Sequence, residues 1–203
     1  MPTETFYNLP EEKRGRLVKA IYLELARVPF SEMSINRIIK EAQISRGSYY
    51  QYFRDRDDLY QFILEKTQVQ GKQLVDEQLA ACGGDLFSAL PEILSRAAAY
   101  VTSPQGNGKA RHLAEEVQLR ELRSPPLEHR CCAGGALEDV WDALDRNTLR
   151  AESREEFFEM LPIFVGVFAR HLMEILAGAD PEDTKKRFAR AMDWLRYGMG
   201  EKA

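Results

Sequence analysis

The sequence predicts an all-α fold: an N-terminal three-helix unit containing a helix-turn-helix, then a larger helical region. Apolar residues recur at three- and four-residue spacing along most of the chain, and no stretch alternates as a strand would. Polar, Gly and Pro breaks divide that pattern into helices. Between Ser34 and Phe53 two serines stand where helix N-caps are needed, so a helix, a tight turn and a second short helix must share twenty residues.

In chain order, Leu17, Val18, Ile21, Tyr22 and Leu25 predict a first helix over about 10–27 that covers the hairpin's inner face. Ser34 is read as the side-chain cap of the next helix, whose apolar face is Ile35, Ile38, Ile39 and Ala42. The chain turns at Gln43 and Ile44, Ser45 caps again, and a short helix runs from Arg46 to about Phe53. A long helix over 55–81, broken by Cys82, Gly83 and Gly84, would span roughly 40 Å. Further helices are expected over 85–101, 108–123, 125–149, 153–177 and 181–199. Pro91 either kinks the first of these or begins a new helix, and Thr102 to Lys109 is read as a loop.

The short second helix of the hairpin carries the chemistry. With Tyr49 and Phe53 turned inward, Arg46, Gly47, Ser48, Tyr50, Gln51 and Tyr52 form its outer and flanking surfaces. Arginine forks onto guanine O6 and N7, glutamine pairs with adenine N6 and N7, and hydroxyls reach phosphates or base edges. Gly47 leaves room for close approach. The alternative is a plain helical hairpin with half-buried tyrosines.

The pattern extends beyond the hairpin. Ser34, Ile35, Ile38, Ala42, Ile44, Ser45, Arg46, Gly47, Ser48, Tyr49, Tyr50, Gln51, Tyr52 and Phe53, continued by Arg54 to Leu59, resemble the signature of the TetR family of bacterial transcriptional regulators. The match spans about Leu9 to Phe62. Two positions depart from it. Gln43 stands where the family usually has Gly, at a cost of about 1 kcal/mol if the left-handed geometry is kept. Ile39 stands where the family usually has Ala, which widens or repacks the contact with the first helix. The resemblance implies a DNA-binding domain over 1–55, with its helix-turn-helix over 34–53, and a ligand-binding and dimerisation domain over 56–203. Its DNA-binding residues would be Ser34, Ser45, Arg46, Gly47, Ser48, Tyr50, Gln51, Tyr52 and Arg56, with Arg46 and Gln51 reading bases.

Charge agrees with specific rather than indiscriminate DNA binding. The chain carries −4 overall, whereas residues 10–60 hold ten Lys or Arg against eight Asp or Glu. So small a local excess gives weak nonspecific affinity, and specific contacts must matter. Three cysteines make no disulfide framework, and the first residues lack the charged and apolar pattern of a secretory signal, so a cytoplasmic protein is expected. The apolar run from Phe157 to Leu176 is interrupted by charges and Pro162 and is too short a clean stretch for a membrane.

That run is apolar nearly all round, more than one core readily covers. With Phe188, Met192, Trp194 and Leu195 of the next helix it suggests a partner subunit. The resemblance implies a homodimer, with Phe157, Leu161, Phe164, Phe168, Leu172, Phe188, Met192 and Leu195 as interface candidates. It also implies a small-molecule effector site in the larger domain, for which Phe87, Tyr100, His112, Trp141, Phe164, Phe168 and His171 are the candidate lining. For each of these, ordinary core packing is the competing use. The whole then reads as a repressor that leaves a palindromic operator when the effector binds, with no cofactor and no metal.

Other classes find less support. Cys131 and Cys132, beside His129, would serve a thiol- or metal-responsive regulator, but adjacent cysteines on a helix point about 100° apart and no Cys-x-x-Cys pair exists. A helical-bundle enzyme would need something like Glu-x-x-His, and here Glu115 and Glu116 follow His112. No phosphate loop or nucleophile elbow is present, so the chain is not read as an enzyme. A scaffold without a DNA role leaves the hairpin's outer surface unexplained.

Overall fold

The computed structural model describes residues 2–123 and 139–199. Among them every regular element is helical: α1 (Glu4–Tyr7), α2 (Glu11–Arg27), α3 (Ile35–Ala42), α4 (Arg46–Tyr52), α5 (Arg56–Ala81), α6 (Leu86–Thr102), α7 (Asn107–Arg123), α8 (Val140–Ala143), α9 (Arg154–Leu176) and α10 (Pro181–Tyr197), with short 3₁₀ turns at Phe30–Glu32 and Arg146–Thr148. The chain divides into two compact units. One holds the chain up to Thr67 and, from Pro104, α7; the other holds Gln68–Ser103 and the described residues from Asp139 on.

The first unit is built on α2. Leu17, Ala20, Ile21 and Leu25 make one buried stripe, against which Ile38 and Ala42 of α3, Tyr49, Tyr52 and Phe53, and Leu59, Tyr60, Phe62 and Ile63 of α5 close. Two elements had no clear pattern in the sequence. Helix α1 buries Phe6 edge-on against Phe62 at 5.1 Å and tilted against Phe53 at 5.4 Å. The Phe30–Glu32 turn buries Phe30.

Helix α7 belongs to this unit as well, so the unit is larger than the 1–55 segment expected from sequence. Its start passes so near the end of α2 that a Cβ on Gly108 would overlap the Ala26 carbonyl. One turn later His112 Nδ1 lies 2.7 Å from the Leu25 carbonyl oxygen. That carbonyl is among the last four of α2, which have no partner within the helix; since it can only accept, the ring nitrogen must donate.

In the second unit Leu79, Leu86, Phe87, Ile93, Leu94, Trp141, Phe157, Phe164, Phe188 and Met192 form the buried core. Helix α6 continues through Pro91 without a new start. The helix expected over 125–149 is not continuous in its described part: after α8 the chain extends at Leu144 and Leu149 around a 3₁₀ turn. Asp145 explains the break, because its carboxylate accepts from the backbone and side-chain nitrogens of Asn147 while its own amide donates to Gly84. The expected loop over 102–109 shrinks to Ser103–Gly106, and α7 begins at Asn107.

Candidate nucleic-acid interface

The turn between α3 and α4 is made by Gln43, the one non-glycine residue with positive φ among those described (φ 55, ψ 46). This left-handed residue lets the Ile44 amide return to the Ile39 carbonyl at 3.1 Å. Two residues on, the Ser45 hydroxyl accepts from the Ser48 amide at 3.0 Å and caps α4 as expected. The Ser45 and Ser48 hydroxyls share a further hydrogen bond of 2.8 Å.

Orientation of α4 follows from helical spacing. Tyr49, Tyr52 and Phe53 lie at i, i+3 and i+4 and are all buried, while Arg46, Gly47, Tyr50 and Gln51 are exposed and Ser48 is half-buried. Burial pushes the Tyr49 phenol up from its ordinary pKa, so it stays a neutral core group. A Cβ on Gly47 would meet only the Ser45 hydroxyl at 3.9 Å, so the space over that backbone is open.

Two of the expected DNA-binding residues are placed otherwise, and Ser34 departs from its expected capping role. Tyr52 is not on the outer surface: it is 3% exposed and turns toward Phe6, with ring centroids 6.5 Å apart. Helix α1 covers it, held there by the Thr3 amide donating to the Tyr52 carbonyl at 3.0 Å. Arg56 is committed to the protein, donating to the carbonyls of Ser31 at 2.8 Å and Met33 at 2.7 Å, so it braces the Phe30–Glu32 turn. Ser34 occupies the N-cap position of α3, but its side chain makes no capping bond. Its backbone amide instead donates to Glu24 at 2.9 Å.

That carboxylate is 5% exposed and receives two bonds from Arg27, of 3.0 and 2.6 Å. Burial pushes the Glu24 carboxyl up, yet the hydrogen bonds from Arg27 and the Ser34 amide, with the charges of Arg27 and Arg37, outweigh it and hold the pKa below the ordinary range. Nothing in the local sequence pattern pointed to this link between α2 and α3.

Arg46 stands at the start of α4. Its Nη1 donates to Asn36 Oδ1 at 2.9 Å, its Nη2 lies 3.4 Å from the Tyr50 hydroxyl, and the guanidinium carbon is 5.7 Å from the Tyr50 ring centre. Asn36 was missed in the sequence reading. The signal was present, since inward Ile35, Ile38, Ile39 and Ala42 leave Asn36, Arg37 and Lys40 facing out.

The residues expected to line an effector site are divided between the units. His112 is in the first unit on Leu25, whereas Phe87, Tyr100, Trp141, Phe164, Phe168 and His171 are in the second. There Phe87 packs edge-on to Phe164 at 5.6 Å, Trp141 meets Phe157 at 5.7 Å, and Phe168 and His171 flank Phe188 at 6.0 and 5.3 Å. His171 Nδ1 donates to the Val167 carbonyl at 2.7 Å, and Tyr100 is half exposed.

Of the residues expected at a subunit interface, Phe157, Phe164, Phe188 and Met192 are buried in this chain's own core and form no outer face. Leu161, Phe168, Leu172 and Leu195 are half-buried against that core. The exposed apolar positions are instead Pro162, Ile163, Gly166 and Ala169 along one stripe of α9, with Ala189, Trp194 and Tyr197 on α10.

Among the described residues no cluster of three metal-ligating side chains occurs, and no helix is long and apolar enough to cross a membrane. His129, Cys131 and Cys132 lie outside the described residues.

Comparison with known proteins matches residues 17–62 to bacterial regulatory proteins of the tetR family and residues 85–199 to the tetracyclin repressor-like C-terminal domain. The chain is 26% identical over 149 residues to the HTH-type transcriptional regulator AcrR of Shigella flexneri, a match covering 72% of this chain but only 62% of that protein. Its fold resembles the crystal structure of a TetR-family transcriptional regulator from Pectobacterium atrosepticum, with TM-score 0.61 and 17% identity over 91% of this chain and 92% of that one. A TetR transcriptional regulator from Rhodococcus sp. RHA1 is also similar, with TM-score 0.55 and 16% identity over 93% and 99% of the two chains.

Proposed function

The chain belongs to the TetR family of bacterial transcriptional regulators, and from that premise we propose that it is a cytoplasmic, homodimeric, non-enzymatic repressor that binds a palindromic operator and leaves it when a small molecule binds. The observation that carries this reading is the exposed set Arg46, Gly47, Tyr50 and Gln51 on one face of α4, anchored from behind by buried Tyr49, Tyr52 and Phe53. An arginine, a glutamine and hydroxyls beside an open glycine match base edges and phosphates in a major groove. Arg46 and Gln51 read bases, while Ser45, Ser48 and Tyr50 fix the register on phosphates.

Two copies must place their α4 helices about 34–36 Å apart to enter successive major grooves on one face of B-DNA. Effector control then needs a ligand that distinguishes the DNA-competent arrangement from another, since equal affinity for both shifts nothing. Helix α5, continuous from Arg56 to Ala81, is the element that supports such a route. A hundredfold loss of operator affinity requires a preference of about 2.7 kcal/mol, within the usual range of coupling energies.

Selection of bound sequences from random duplex DNA by the purified chain tests the proposal. Enrichment of one palindrome is the expected result; flat enrichment would overturn it.

A further inference from the structure

The geometry points to Asn36 of α3 as a positioning residue that holds Arg46 for base reading, an inference that rests on the DNA-binding role proposed above. Arg46 Nη1 donates to Asn36 Oδ1 at 2.9 Å across the turn, and Tyr50 flanks the same guanidinium, with its hydroxyl 3.4 Å from Nη2. Both partners are exposed and come from different helices, so this bond adds little to the core. Its effect is on direction.

A free arginine on a helix start samples many rotamers and must give them up on binding. Held between Asn36 and Tyr50, the guanidinium already has one orientation, with two of its five N–H groups engaged and three left for an acceptor pair. Guanine O6 and N7 are such a pair. In this geometry Asn36 turns its amide to Arg46, one lone pair of Oδ1 accepting from Nη1, whereas an asparagine that recognises adenine turns Oδ1 and Nδ2 together onto the base edge.

Asn36 therefore sets how sharply one base pair is discriminated, through Arg46 rather than by contact of its own. Replacement by Ala should lower discrimination at the Arg46 base pair by about three- to tenfold, with no new preference elsewhere. Asn36→Asp keeps the acceptor and should retain the preference, while its added charge weakens all duplexes alike.

The test uses the full chain as wild type, Asn36→Ala, Asn36→Asp, Arg46→Ala and the Arg46→Ala/Asn36→Ala double variant. Each is carried through selection from random duplexes, then through competition with duplexes changed at the base pair that Arg46→Ala identifies. The inference expects Asn36→Ala to relax that base pair, Asn36→Asp to rescue it, and the second substitution to add nothing once Arg46 is gone. An unchanged profile for Asn36→Ala overturns it. So does an equal affinity loss with and without Arg46, or relaxation at a different base pair, either of which makes Asn36 a direct contact. If wild type enriches no sequence, the DNA-binding reading itself fails and this inference with it; a wild-type palindrome combined with an unchanged Asn36→Ala profile sinks the inference alone.

Discussion

Arg120 of α7 lies over the ring of Tyr60 on α5, its guanidinium carbon 3.9 Å from the ring centre. Its Nη2 reaches Asp57 at 2.8 Å and its Nε reaches Glu116 at 2.6 Å, so one side chain joins α7 to the first turns of α5, beside the hairpin. The Tyr60 ring and the Glu116 carboxylate are buried or nearly so, where cation–ring and ion-pair contacts are worth more than on open surface, whereas Asp57 is exposed and its pair adds little. Arg120→Ala should destabilise the first unit by about 1–2 kcal/mol. Denaturant unfolding checks the size, and hydrogen exchange should show α7 amides losing protection before those of α2. Equal protection in the variant would remove Arg120 from this role.

Two glycines should respond in opposite ways. At Gly108 a Cβ would overlap the Ala26 carbonyl, a backbone atom that cannot rotate away, so Gly108→Ala must lift α7 and should cost about 1–3 kcal/mol. At Gly47 a Cβ would meet nothing nearer than the Ser45 hydroxyl at 3.9 Å, so Gly47→Ala should not lower thermal stability and should reduce operator affinity by occupying room over the backbone. Melting curves and operator titrations on the two variants separate these outcomes.

Gln43 holds a left-handed conformation without the freedom of glycine. Left-handed geometry costs an L-residue about 1–2 kcal/mol, and glycine returns part of that gain as unfolded-chain entropy. Gln43→Gly should therefore stabilise the chain by up to about 1 kcal/mol with unchanged base preference. A loss of stability would show that the Gln43 side chain supplies contacts outweighing the strain.

Glu24 makes the first unit acid-sensitive. Its folded pKa lies below the unfolded one, so its contribution is present above the ordinary carboxylate value of about 4.3 and is lost as pH falls through the folded value below that. Glu24→Gln should flatten this acid limb, while Glu24→Ala leaves Arg27 and the Ser34 amide without their acceptor and should cost about 1–3 kcal/mol at neutral pH. Unfolding followed from pH 3 to 7 reads both effects.

Exposed and buried apolar residues of the last two helices should separate assembly from folding. Ile163 is 54% and Trp194 51% exposed, whereas Phe188 is fully buried. Ile163→Glu or Trp194→Glu should yield folded monomers in sedimentation and weaken operator binding, because two half-sites are no longer held together. Phe188→Glu should unfold the second unit instead, by placing a charge in its core.

Most of the fold was legible because helical period and caps are local signals. The buried stripe of α2, the Ser45 cap and the approximate limits of α9 and α10 all follow from residues within a turn or two of one another, whereas the left-handed turn at Gln43 was raised only by the family resemblance. The 125–149 segment misled because Asp145 offers local hydrogen bonds that compete with a helix, a competition that periodicity does not register. The inward turn of Tyr49 and Phe53 placed Arg46 and Gln51 on the outer face of α4, and both are exposed there.

By itself, then, the sequence determined the all-helical class, the hairpin and the types of side chain available to DNA, since each is set by neighbours in the chain. Tertiary structure alone decided which of those side chains are free. Tyr52 is covered by α1, Arg56 is bound to carbonyls of the Phe30–Glu32 turn, and Arg46 is tied to Asn36. His112 is likewise drawn to Leu25, 87 residues away in the chain. A donor goes to whichever acceptor the packing of distant segments brings within about 3 Å, and no local spacing encodes that distance.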